Sequence, residues 1–145
     1  MKIKISLFVC ISLFLFNCKN EIKTDSTTIT QDKVVNSHDS KNSLDWQGTY
    51  KGIMPCADCE GIETEITLNK DITFILRTKY LGKGDSKIFE EKGKFSWDES
   101  GTIITLENLK DRPNKYKVGE NTLTQLDMNG KIITGALAKM YIFKK

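Results

Sequence analysis

Ile62-Glu63-Thr64-Glu65-Ile66-Thr67-Leu68-Asn69 places Ile62, Thr64, Ile66 and Leu68 on one side and Glu63, Glu65, Thr67 and Asn69 on the other. Successive side chains of a strand point to opposite faces, so this period of two predicts a strand with one buried and one wet face. Working outward, Asn69-Lys70-Asp71 reads as a turn, after which Ile72, Phe74, Leu76, Thr78 and Tyr80 share a face. Residues 82–85 turn the chain again, and residues 89–97 return with Gly93, Phe95 and Trp97 on one side. Residues 98–101 form the next turn and 102–106 the next strand. Pro113 lies in a longer connection, and strands are predicted over 115–118, 123–127 and 140–144, with Asn129-Gly130 a strong hairpin turn. With residues 46–53 in front, the count is about eight short strands and no amphipathic helix beyond a brief turn within 135–139. Many short strands in sequence order predict an all-β fold, an antiparallel up-and-down barrel or a sandwich. A closed barrel leaves no free sheet edge, which favours it. Phe74, Tyr80, Phe95, Trp97 and Tyr116 are its predicted core, and a ligand-lined cavity is the alternative use of those rings.

The start of the chain reads as an address. Lys2 and Lys4 precede an apolar run over residues 5–16 broken only by Ser6 and Ser12. That run is shorter than the about 20 residues a membrane-spanning helix needs, and matches a secretory signal peptide over residues 1–17. It ends at Leu15-Phe16-Asn17-Cys18, which resembles a loose lipobox, so Cys18 is the expected lipidation site and Cys10 a poorer one. Acyl chains contribute about 0.8 kcal/mol per buried CH₂, so several of them anchor a protein without a spanning helix. Residues 18–44 then supply the lipidated cysteine and a tether rich in Ser, Thr, Asn, Asp and Lys, too polar to offset its ordering entropy. As a flexible coil it spans roughly 30 Å. The sole histidine, His38, falls in this tether and reads as a solvated residue.

The whole chain of 145 residues carries 22 basic and 19 acidic side chains, net +3. Removing Lys2 and Lys4 from those 22 leaves 20 against 19, a mature charge of +1. Such a balance argues against a charge-driven nucleic-acid binder. Residues 45–145 are the single expected folded domain.

Within that domain two cysteines remain, in Met54-Pro55-Cys56-Ala57-Asp58-Cys59. In an oxidising envelope their default state is a disulfide. It closes so small a ring that chain entropy gives about 2 kcal/mol at most. Reduced, the two thiolates offer soft ligands to an ion such as Cu(I), with Met54 and Asp58 adjacent. Pro55 removes a backbone donor and Gly61 lets the chain turn back, which places the pair in an accessible loop between the first two strands. A thioredoxin-type centre needs the pair at a helix N-terminus, and strands flank it here. A structural zinc site needs four ligands, and the domain has no second Cys/His pair.

Gly48-Thr49-Tyr50-Lys51-Gly52, Pro55-Cys56-Ala57-Asp58-Cys59-Glu60-Gly61-Ile62, Tyr80-Leu81-Gly82 and Leu126-Asp127-Met128-Asn129-Gly130-Lys131, with Gly135-Ala136-Leu137-Ala138 and Tyr141, resemble the N-terminal domain of the NlpE lipoproteins. The resemblance spans residues 46–145. It implies a small barrel similar to bacterial lipocalins, lipid-anchored at the outer membrane and facing the periplasm. It implies a role in copper tolerance and in reporting envelope or surface stress to a two-component system, carried by Cys56 and Cys59. Some members add a second, OB-like domain with its own cysteine pair; the expectation here is a short single-domain member. The expected partners are the membrane and an envelope-stress signalling protein, and the only expected cofactor is copper at Cys56 and Cys59. No enzyme is expected, because no nucleophile–base arrangement is visible. The rival readings are a carrier of a small apolar ligand inside the barrel, and an interaction module with a purely structural disulfide.

Overall fold

The alternation that opens the sequence reading is a strand in three dimensions. The computed structural model describes residues 39–84 and 87–145. The signal segment, Cys18, His38 and the greater part of the tether lie outside the described residues. Eight strands follow in order: β1 (Gly48–Met54), β2 (Gly61–Leu68), β3 (Thr73–Leu81), β4 (Ile88–Trp97), β5 (Ile103–Leu106), β6 (Lys115–Gly119), β7 (Thr122–Gln125) and β8 (Ile142–Lys144). Each pairs antiparallel with the next, and β8 returns to β1 through Lys51↔Lys144, closing the barrel. The fold is the predicted all-β up-and-down barrel.

On β2 the inward face is Thr64, Ile66 and Leu68, all buried. Register carries that face around the barrel: Leu68 opposes Phe74, Ile66 opposes Leu76, and Phe95 opposes Leu106. Tyr50, Ile104, Leu123 and Phe143 complete the centre of the core. Gly93 opposes Phe74, and a Cβ there would lie 2.8 Å from the Phe74 ring, so the absence of a side chain is what lets that ring fill the core. Outside, the same register lines up charges: Lys51–Glu65, Glu65–Arg77 and Arg77–Glu90 are ion pairs between directly opposed residues. Exposed pairs stabilise little individually; on this wall they mark the wet side of β1 to β4.

Four local expectations are corrected. Tyr80, read as core, is 39% exposed; it sits near the end of β3 at an open mouth and packs edge-on against Phe89, 5.8 Å between centroids. Ile72, read as the first strand residue, is in the turn with φ +64°, a conformation β-branched residues disfavour. Its side chain packs against the core cluster and its carbonyl accepts from the Phe95 N–H, contacts that hold it there. Met140 and Tyr141 belong to a 3₁₀ turn (Ala138–Tyr141), so β8 starts two residues later than expected. Trp46 precedes β1 instead of starting it.

The end of the stretch read as tether is ordered by tertiary contact. A single helical turn, α1 (Ser40–Ser43), is capped by Asp39, whose carboxylate accepts from the Asn42 N–H at 2.8 Å. Ser40 Oγ donates to the Val118 carbonyl at 2.8 Å and Lys41 N to the Gly101 carbonyl at 3.0 Å, tying the turn across the barrel end. Trp46 follows it, buried, edge-on to Phe95 and Trp97 with both centroid distances 5.7 Å. Its Nε1 donates to the Lys41 carbonyl, and the Tyr50 hydroxyl donates to the Trp46 carbonyl at 2.7 Å. This end is closed.

Candidate functional site

The opposite end is where β1 stops and β2 starts. Pro55 follows Met54 and cannot extend the ladder, and residues 55–60 form the connecting loop. Gly61 reopens the ladder at φ +156°, where a Cβ would lie 2.6 Å from Ile53 Cγ2. Within the loop Cys56 and Cys59 are joined by a disulfide, Cα–Cα 5.3 Å, both half-buried, with Ala57 and Asp58 exposed between them. The pair therefore lies at the barrel rim, outside the strand ladder.

Two contacts hold the loop to the next hairpin. Glu60 N donates to the Leu81 carbonyl at 3.1 Å, and Lys83 Nζ meets Asp58 Oδ2 at 2.6 Å. The Lys83 hydrogen bond, helped by its charge, holds the Asp58 carboxyl below the ordinary carboxylate range. The Cys56 sulfur lies 3.5 Å from Asp58 Oδ1 and the Cys59 sulfur 3.3 Å from the Gly61 carbonyl. Cys56, Asp58 and Cys59 offer ligand atoms within 4.8 Å of one another. As a disulfide the sulfurs are weak ligands; two-electron reduction would leave two thiols and a carboxylate in one place, a donor set open to a soft ion at its sulfurs. Met54 is brought elsewhere. It stands on the inward face of β1 with Tyr50 and Gly52, packed against the core.

Beneath the loop the barrel interior is not filled. A cavity of about 350 Å³ opens at this end, its wall including Met54, Pro55, Leu76, Tyr80, Arg112 and Gln125. Tyr116 lines it too, and burial pushes its phenol well above the usual tyrosine range. At the closed end burial, with Asp45 nearby, pushes the Tyr50 phenol up to about 12. The sequence reading did not single out Arg112 or Gln125. Gln125 did leave a signal, because it shares the inward face of β7 with Leu123. Arg112 left none; it stands in the 107–114 connection, whose path has no periodicity to read.

Comparison with known proteins now bears on this rim. The NlpE N-terminal domain family matches residues 50–136, which include the disulfide loop. The chain belongs to the NlpE N-terminal domain family. Lipoprotein NlpE of Escherichia coli strain K12 is 29% identical over 131 residues, covering 89% of this chain and 51% of that protein. The chain thus spans about half the length of that NlpE relative. Among solved structures, a Shewanella oneidensis protein described as a lipoprotein is similar at 51% identity and TM-score 0.67, covering 74% of this chain and 95% of its own. The crystal structure of E. coli NlpE, described as the Cpx pathway activator, is similar at 31% identity and TM-score 0.52, covering 61% of this chain and 46% of its own. The chain is an NlpE-type protein, and its barrel is the NlpE N-terminal fold.

Proposed function

We propose that this protein is a lipid-anchored lipoprotein of the cell envelope in which the Cys56–Cys59 pair responds to thiol redox state or to copper. One observation carries the reading. The pair lies in a rim loop beyond the last β1 ladder partner, so it can open to a dithiol without dismantling any strand. Oxidised, it pins the loop; reduced, it offers Cu(I) two thiolates beside Asp58. Attachment through Cys18, an outer-membrane position facing the periplasm, and a partner in envelope-stress signalling extend this reading from the NlpE relationship. The proposed role is non-enzymatic.

The deciding experiment compares the reduced protein with its Cys56→Ser/Cys59→Ser variant in a Cu(I) competition titration. A metal role requires tighter binding by the reduced wild type, and equal binding ends it. A second reading, the carrier of a small molecule, is supported by the cavity beneath the loop.

A further inference from the structure

Closure of the barrel is uneven along β4. That strand pairs with β3 from Ile88 to Lys94, yet the shorter β5 reaches only Phe95, Ser96 and Trp97. The Phe95 N–H points to the β3 side, where it donates to the Ile72 carbonyl. Backbone groups alternate sides along an antiparallel strand, so Ile88, Glu90 and Lys92 turn their N–H and C=O groups towards the β5 side. There the Lys94 carbonyl accepts from the Glu107 N–H, and among the described residues no backbone hydrogen bond reaches Ile88, Glu90 or Lys92. Their side chains share the outer face, and all three residues are exposed. An unpaired edge of this kind is a template for another strand.

The charges on it say which strand. Lys51, Glu65, Arg77 and Glu90 alternate in sign across β1 to β4 as directly opposed ion pairs, and the row stops at Glu90 because β5 does not extend that far. Lys92, two residues on, bends back to Glu90 at 2.8 Å on its own strand. If β4 of a second copy adds antiparallel about a two-fold axis at Glu91, Glu90 of each copy stands opposite Lys92 of the other. Those are the residues whose backbone groups face the edge, so the same register forms the ladder bonds and continues the charge row. Opposite charges across a ladder stabilise it and like charges oppose it. The two adjacent registers that keep these backbone groups opposed set Glu90 on Glu90 or Lys92 on Lys92. Ile88, 59% exposed, then lies opposite Lys94 of the second copy, whose aliphatic stem can cover it. Glu91 meets its own copy at the axis, and in each copy Arg112 offsets that like-charge contact.

We propose that the unpaired half of β4 is a self-association edge, to which a second copy of this chain adds its own β4 antiparallel with Glu90 opposite Lys92. The interface is isologous, the same surface serving both copies. It requires neither a particular state of the Cys56–Cys59 pair nor a ligand in the cavity.

Cross-linking with a short bis-maleimide tests both the contact and its register, in the full chain held in mild detergent with Cys10→Ser and Cys18→Ser and the Cys56–Cys59 disulfide intact. At the axis, Glu91→Cys brings two thiols to a Cα separation of about 4.5 Å, that of a pair without mutual backbone bonds. Ile88→Cys sets them about 20 Å apart, six strand residues along. With rates normalised to each thiol's reaction with a mono-maleimide, Glu91→Cys is expected to yield dimer at least about tenfold faster than Ile88→Cys. Adding Lys92→Glu to Glu91→Cys should slow it about tenfold, the weakening expected when two attractive contacts become repulsive. Unfolding midpoints establish that each variant is folded, and sedimentation of the chain with native β4 gives its mass without any cross-link. Equal rates for the two cysteine positions overturn the proposal as random collision, and a faster Ile88→Cys reaction overturns its register. A monomer up to about 1 mM overturns it as well, since its charges then guard the edge instead of pairing it. A synthetic peptide of residues 87–95 should compete with the cross-link; a peptide that binds a chain which itself stays monomeric shows an edge for foreign extended segments and overturns the second copy as occupant.

Discussion

At one end of the barrel residues 39–46 cross the opening, Trp46 fills it, and hydrogen bonds from Ser40 and Lys41 reach β6 and the β4–β5 turn. At the other end β1 gives way to a six-residue loop with a disulfide, and the space below is a cavity of about 350 Å³. The same eight strands run through both ends, so the strands themselves do not explain the difference. The closed end is packed by aromatic rings that touch one another, while the open end holds the disulfide loop and the cavity. On the proposed reading, a change of state in the rim loop would take place away from the Trp46, Phe95 and Trp97 cluster at the other end.

The largest expected effect tests the closed end. Trp46→Ala removes a buried ring packed on Phe95 and Trp97, and should cost about 3–5 kcal/mol in denaturant unfolding. The Cys56→Ser/Cys59→Ser variant comes next, with a loss of at most about 2 kcal/mol because the ring it opens is small. If the double serine variant proves the more costly of the two, the rim carries structure after all, and the contrast between the ends fails.

Alkaline pH sharpens the same contrast through the Tyr50 phenol. The unfolded phenol ionises at its ordinary 10.0 and the folded one only at about 12, because its burial at the closed end favours the neutral form. As pH rises past 10 the unfolded state loses its proton first, so stability is whole below pH 10 and declines as pH climbs towards 12. Tyr50→Phe should flatten that decline, read as the unfolding midpoint between pH 9 and 11, about where the two curves would part. The smallest effect belongs to the rim. Lys83→Ala should leave the unfolding midpoint within error, while the Asp58 carboxyl returns upward towards the ordinary range in an NMR titration. An unfolding midpoint that drops clearly would show that the exposed Asp58–Lys83 pair holds more than its loop.

The comparison also separates what a sequence reader could and could not see. The alternation of residues 62–69, the turn chemistry of Asn129-Gly130 and the break at Pro55 were legible because each depends on neighbours a few residues away. Gly130 sits at φ +76° in a turn closed by the Gly130 N–H to Asp127 carbonyl bond, as its sequence suggests. The cysteine loop was legible for the same reason. The misplacement of Ile72 has the opposite cause: its own preference favours the strand, and contacts with the core and Phe95 hold it in the turn. Asp39–Leu44 is polar enough to read as tether, and bonds to Gly101 and Val118, far along the chain, order it instead.

Strand number, antiparallel order, the wet and buried faces and the place of the disulfide loop therefore follow from the sequence by itself, since period and turn propensity act locally. Which mouth is plugged, where the interior stays open, and that Gln125 faces Tyr116 while Arg112 meets Glu91 were decided only by the tertiary structure. Those features depend on barrel register and closure, which bring together residues separated by tens of positions, and no local pattern records such a meeting.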